Sequence, residues 1–122
     1  MSNEMIILID DDPLIRAIWQ FSAERYTKNI IVFSSADQFY QECCRISFDS
    51  IIYIDSNLGK GVRGEMIAKK IYQMGFANIY LTTGFYLGNI KEFPWIKGVV
   101  DKNPPWKADA DWKRSLCAEK SS

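Results

Sequence analysis

The chain has 122 residues, 48 % of them apolar and 25 % charged, which fits one globular domain with a single core and excludes a disordered chain. Fifteen basic and fifteen acidic side chains cancel, so there is no basic footprint for nucleic acid or an anionic membrane. Histidine is absent, which excludes histidine-based zinc sites, Ser-His-Asp triads and histidine general bases.

No apolar run approaches the roughly 20 residues needed to span a bilayer. Met1-Ser2-Asn3-Glu4 lacks the basic start of a signal peptide. The three cysteines, two of them adjacent at Cys43 and Cys44, are not a disulfide framework, so the expected compartment is a reducing cytoplasm.

In chain order, Met5–Ile9 is a short apolar run ending in Asp10-Asp11-Asp12, the pattern of a buried strand. Asp12-Pro13 predicts a helix N-cap followed by Pro at the first helical position. Leu14, Ile18 and Phe21 recur at helical spacing, so this helix is expected to run to about Tyr26. Ile30–Phe33 is a second strand. Ser35-Ala36-Asp37-Gln38 is a capping-box pattern that opens a second helix towards Arg45, with Cys43 and Cys44 expected to be buried within it. Ile51–Ile54 is a third strand ending at Asp55, followed by a Gly-containing loop, Ser56–Arg63. Gly64–Met74 is a third helix, with Ile67, Ile71 and Met74 on one face and Gly75 as its stop. Ile79–Thr82 is a fourth strand ending at Thr83-Gly84. Gly88 and Pro94 leave room in Phe85–Lys97 only for a short or broken helix. Gly98–Val100 is a fifth strand ending at Asp101-Lys102, and after Pro104-Pro105 a last helix is expected over Lys107–Lys120.

Five strands alternating with helices predict an α/β fold: a parallel sheet covered by helices on both faces. Right-handed crossovers put every strand's C-terminal end on one edge, where open α/β sheets bind ligands. That edge collects Asp10, Asp11, Asp55, Thr83 and Lys102. Each alone is unspecific: an Asp after a strand often only caps a helix, and a terminal Lys is often a surface residue. Together, three carboxylates would repel each other unless a cation sits among them, and Mg²⁺ suits oxygen ligands. An Asp beside such a metal can attack phosphorus and form an aspartyl phosphate, with metal, lysine and hydroxyl sharing the charge on the phosphoryl oxygens.

The stretches Ile6-Ile7-Leu8-Ile9-Asp10-Asp11-Asp12-Pro13, Ile51-Ile52-Tyr53-Ile54-Asp55, Leu81-Thr82-Thr83-Gly84 and Gly98-Val99-Val100-Asp101-Lys102 resemble, in that order, the receiver domains of bacterial two-component response regulators. The resemblance covers about residues 5 to 106. It implies a flavodoxin-like, five-stranded parallel sheet of order 2-1-3-4-5. It also implies that Asp10 and Asp11 hold Mg²⁺ together with Asp55 and the backbone carbonyl of Asn57. Asp55 would be the phosphoacceptor, Thr83 the hydroxyl that turns to the phosphate, and Lys102 the lysine that pairs with it. The donor histidine would belong to a partner, a histidine kinase or histidine phosphotransfer protein. The expected protein is then a stand-alone, single-domain receiver over residues 1–122 with no effector domain, self-catalysing its phosphorylation and dephosphorylation and signalling by protein–protein contact.

The chain differs from that family's pattern in four places. The loop Ser56-Asn57-Leu58-Gly59-Lys60-Gly61 lacks the usual Met-Pro and is about a residue longer before Gly64. Asn103 separates Lys102 from Pro104, where the family commonly has a Lys-Pro bond in cis. Val99 stands where an aromatic often swings inward, and the fourth helix is short or broken. Phe85, two residues after Thr83, matches a position that tends to govern water access to the phosphate. These differences motivate an alternative, a degenerate receiver acting as a docking module. A third reading is a small phosphatase of the haloacid dehalogenase type, from the Asp-x-Asp spacing of Asp10 and Asp12. Phe93, Trp95 and Trp106 are expected to cover the core where regular helix is missing, rather than to form a partner surface.

Overall fold

The computed structural model describes residues 4–84 and 90–106. Its elements in chain order are β1 (Met5–Ile9), α1 (Pro13–Arg25), β2 (Asn29–Phe33), α2 (Ala36–Glu42), β3 (Ile51–Asp55), α3 (Gly64–Gln73), β4 (Asn78–Thr82) and β5 (Gly98–Val100). Single 3₁₀ turns follow at Cys43–Arg45 and Ile90–Glu92. The expected last helix over 107–120, and Phe85, lie outside the described residues.

The five strands form one sheet in the order β2-β1-β3-β4-β5, all pairs parallel. Side chains alternate across it. Ile7 and Ile9, with Ile52 and Ile54, enter the larger core, which α2 and α3 cover through Phe39, Ala68 and Ile71. Ile6 and Leu8, with Tyr53, enter the opposite core, roofed by Trp19 of α1. Phe93 and Trp95 pack on the larger core and Trp106 on the smaller, covering the sheet where regular helix is lacking.

The capping signals act as read. Asp12 Oδ1 accepts from the Leu14 amide at 2.9 Å, with Pro13 next. Ser35 Oγ accepts from Gln38 N while Gln38 Oε1 accepts from Ser34 N, a reciprocal cap displaced by one residue. Gly75 adopts φ +117° at the end of α3, a backbone region open mainly to glycine.

The sequence left the inward face of α1 open, and one local expectation, burial of Cys43 and Cys44 within α2, is corrected. Leu14, Ile18 and Phe21 do share a face of α1, but it is the outer one, with Leu14 65 % and Phe21 73 % exposed. The inward stripe is Trp19, Ser22 and Ala23, all buried, with Ile15 partly buried beside them. Trp19 wins the interior because it fills the space over Tyr53 and its indole N–H finds an acceptor there. Cys43 and Cys44 lie in the 3₁₀ turn beyond α2, not within it. Cys43 is half-buried against the core and Cys44 is exposed.

Candidate functional site

β1, β3 and, beyond β4, β5 deliver their C-terminal ends to the same edge of the sheet. Asp10 follows β1, Asp55 closes β3, and Lys102 lies two residues beyond β5. The Lys102 ammonium donates to Asp55 Oδ1 at 2.8 Å and to Asp10 Oδ2 at 2.9 Å. Asp10 is fully buried and Asp55 nearly so, while the Lys102 side chain is 27 % exposed. Asp11 is exposed beside them, and one oxygen each from Asp10, Asp11 and Asp55 lie within 4.8 Å of one another.

The carboxylates are held by their surroundings. Asp10 Oδ1 accepts from the Asp12 amide at 2.9 Å, and the Asp10 carbonyl from Arg16 Nη1 at 2.8 Å. Asp55 Oδ1 accepts from the Asn57 amide at 3.1 Å as well as from Lys102. Burial pushes the Asp55 carboxyl above its ordinary range; the hydrogen bonds from Lys102 and Asn57 pull the other way, and Asp10 adds to the rise. Burial alone would push Lys102 down, but its bonds to Asp55 and Asp10 outweigh that and hold it above its ordinary value. The lysine therefore stays charged and keeps two buried carboxylates tolerable.

Thr83 follows β4, whose Thr82 stands opposite Asp55 in the β3–β4 register. It is half-buried, with its amide bonded to the Val100 carbonyl at 3.0 Å. The Ser56 amide bonds the Thr82 carbonyl at 2.9 Å, so Thr83 sits on the same edge as Asp55. Asn57 opens the next loop; its Oδ1 accepts from the Gly59 amide and it bridges to Arg63. The extra length there is absorbed in a small hairpin, in which Leu58 bonds Val62 and residues 59–61 all take positive φ. A Cβ on Gly59 would stand 2.9 Å from Asp11 Oδ2, so glycine there lets the hairpin close beside that carboxylate. Among the described residues there is no cis peptide bond, and the Lys102–Asn103–Pro104 stretch turns through a bond from Asn103 N to Asp101 Oδ1 at 3.0 Å instead.

The structure thus brings Asp10, Asp11, Asp55 and Lys102 together, and sets Thr83 and Asn57 at the same edge. Arg16 and Trp19 were not found from the sequence. Arg16 grips the Asp10 carbonyl, and the Trp19 indole donates to the Lys102 carbonyl at 2.9 Å. Their partners are distant or main-chain atoms, so no local pattern marked them.

The arrangement defines an open α/β protein with an acid-and-lysine centre at the carboxyl edge of its sheet. No family model and no curated protein matches the sequence. Solved structures do. A response regulator receiver domain protein from Methanospirillum hungatei is 17 % identical, covers 99 % of this chain and 100 % of its own, and superposes with a TM-score of 0.73. The signal receiver domain of an HD domain-containing protein from Pseudomonas fluorescens is 16 % identical over 99 % of this chain and 100 % of its own, TM-score 0.71. The response regulator TrrA from Thermotoga maritima, in complex with Mg²⁺ and BeF, is 17 % identical over 93 % and 98 %, TM-score 0.70. The fold of this chain is therefore that of response regulator receiver domains, strand order included.

Proposed function

We propose that this chain is a phosphoryl-accepting receiver with Asp55 as the acceptor. The observation that carries the reading is the Lys102 ammonium, bonded at once to Asp55 and Asp10 with Asp11 alongside. That is a cation fixed where negative charge would gather on a transferring phosphoryl group.

Three carboxylate oxygens within 4.8 Å fit a hard divalent cation such as Mg²⁺, with Asp10, Asp11, Asp55 and the Asn57 carbonyl as its protein ligands. When bound, such a cation draws charge from the phosphoryl oxygens. The chain's own residues do the rest. The Asp55 carboxylate, whose Oδ1 accepts from the Asn57 amide and from Lys102, is the nucleophile. A bond forms from a carboxylate oxygen to phosphorus as the P–N bond of a phosphohistidine breaks; the imidazole keeps the electron pair and takes a proton from solvent. Lys102 then pairs with a phosphoryl oxygen, and the Thr83 hydroxyl donates to another. The donor belongs to a partner kinase or phosphotransfer protein, since this chain contains no histidine. No described helix is long and apolar enough to cross a membrane, which accords with work in the cytoplasm.

The phosphatase alternative has less support. Its nucleophile, Asp10, is fully buried and bonded to Lys102, and its second carboxylate, Asp12, is engaged in capping α1. The test is intact-mass spectrometry after incubation with acetyl phosphate and Mg²⁺. One labile phosphoryl adduct on wild type, lost in Asp55→Asn and without Mg²⁺, is the expected result. No adduct, with acetyl phosphate or with a phosphoramidate, would overturn the reading in favour of a docking module.

A further inference from the structure

Lys102 is held by little regular structure. Among the described residues β5, three residues long, pairs only with β4, and Lys102 lies beyond its end on a side chain with four rotatable bonds. Something else must set where its main chain runs.

That role falls to α1. The Trp19 indole donates to the Lys102 carbonyl at 2.9 Å across 83 residues of sequence. Trp106, which ends the same stretch, packs edge-on against Trp19 at 5.4 Å and sends its own indole N–H to Ser22 Oγ at 2.9 Å. One indole bond runs out from α1 and one runs back, clamping residues 102–106 to the helix. One turn earlier, Arg16 holds the Asp10 carbonyl. The same face of α1 thus fixes the main chain at both ends of the Asp10–Lys102 ion pair. Trp19 also meets Tyr53 edge-on at 5.2 Å, two residues before Asp55, which ties the acceptor strand to the same post.

The geometry points to Trp19 as a positioning residue for phosphoryl transfer, acting through its N–H on the Lys102 main chain so that the ammonium meets the transferring group. This rests on the proposed phosphoacceptor reading. A lysine held within reach of the phosphoryl oxygens serves the transfer, whereas one free to wander does not. For a tryptophan that merely filled the core, loss of the N–H bond would lower stability and leave the transfer rate of the folded protein unchanged.

The test replaces Trp19 with benzothienylalanine, which keeps the fused rings and removes only the N–H. Three quantities are read: the phosphorylation rate at saturating acetyl phosphate and Mg²⁺ by intact mass, the affinity for Mn²⁺ alone by electron paramagnetic resonance, and thermal stability. The expected result is a rate lowered about tenfold, with Mn²⁺ affinity within twofold of wild type and the protein folded at the assay temperature. Trp106→Phe, which keeps Trp19 but deletes the bond to Ser22, should lower the rate about threefold in the same way. A rate unchanged in both proteins overturns the inference. So does a rate that falls in step with Mn²⁺ affinity, which would mark a structural role. If wild type itself takes no phosphoryl group, the phosphoacceptor reading fails first and this inference with it.

Discussion

Gly64 lies so close to the main chain of Asp55 that a Cβ built on it would stand 2.1 Å from the Asp55 carbonyl oxygen. The Gly64 amide also bonds the Ser56 carbonyl at 3.0 Å. The first residue of α3 is therefore pressed against the strand end that carries Asp55, and the obstacle is backbone, which cannot step aside as a flexible side chain can. Gly64→Ala should cost about 1–3 kcal/mol of stability through overpacking and should displace Asp55. Urea unfolding gives the first quantity. The second is read as a loss of phosphorylation larger than the stability change explains, and wild-type behaviour in both would refute the close approach.

Two buried carboxylates share one ammonium, so the members of the centre should respond to substitution with opposite signs. Asp55→Asn leaves Lys102 and Asp10 as a balanced pair and should stabilise the fold by about 1 kcal/mol. Lys102→Met leaves two uncompensated carboxylates and should destabilise it by about 3 kcal/mol. Denaturant midpoints for the two variants decide this; equal signs would contradict the shared-charge description.

The same imbalance makes the fold responsive to a divalent cation. Mg²⁺ at 10 mM should raise the wild-type melting temperature, and chelator should reverse the rise, because a ligand bound only by the folded state adds RT ln(1 + [L]/Kd). Asp11→Asn should blunt the effect with little change in the metal-free melting temperature, since Asp11 is exposed. A rise that survives in that variant would place the cation elsewhere.

Tyr53 sits under Trp19 with its phenol pushed up to about 12, first by burial, then by Tyr80 and Glu4. Its pKa in the folded protein thus exceeds the ordinary 10. The associated stability is fully present below about pH 10 and is lost as pH rises through 12, amounting to about 3 kcal/mol. Between pH 9 and 12 wild type should lose more stability than Tyr53→Phe. Parallel profiles would show that the phenol titrates normally.

How much of this was legible follows from where each signal resides. The strands and their acidic or basic ends could be read because a buried parallel strand is a short apolar run whose next residue faces the ligand edge, as at Ile9-Asp10 and Ile54-Asp55. The capping residues Asp12 and Ser35 bond within four residues, so their signals are local as well. The inward face of α1 was not legible, because Leu14–Ile18–Phe21 and Ile15–Trp19–Ser22 satisfy the same helical period, and the distant partners of Trp19, the Tyr53 ring and the Lys102 carbonyl, decide between them. The second helix stops before Cys43 although nothing in Glu42-Cys43-Cys44 announces it. The hairpin of residues 56–63 did carry a usable sign: Gly59 and Gly61 bracket Lys60, and all three take positive φ.

The bond between Lys102 and Asp10 spans 92 residues. Joining two points so far apart along the chain is slow, because the loop between them must close before the contact returns any free energy. During synthesis the β1 end, with Asp10 and Asp11, leaves the ribosome long before residue 102 can reach it. In that interval the acidic edge stands without its lysine, and no fragment ending before β5 can carry the finished centre. Assembly of the acid-and-lysine centre is thus tied to completion of the sheet, so on the proposed reading an unfinished chain takes no phosphoryl group.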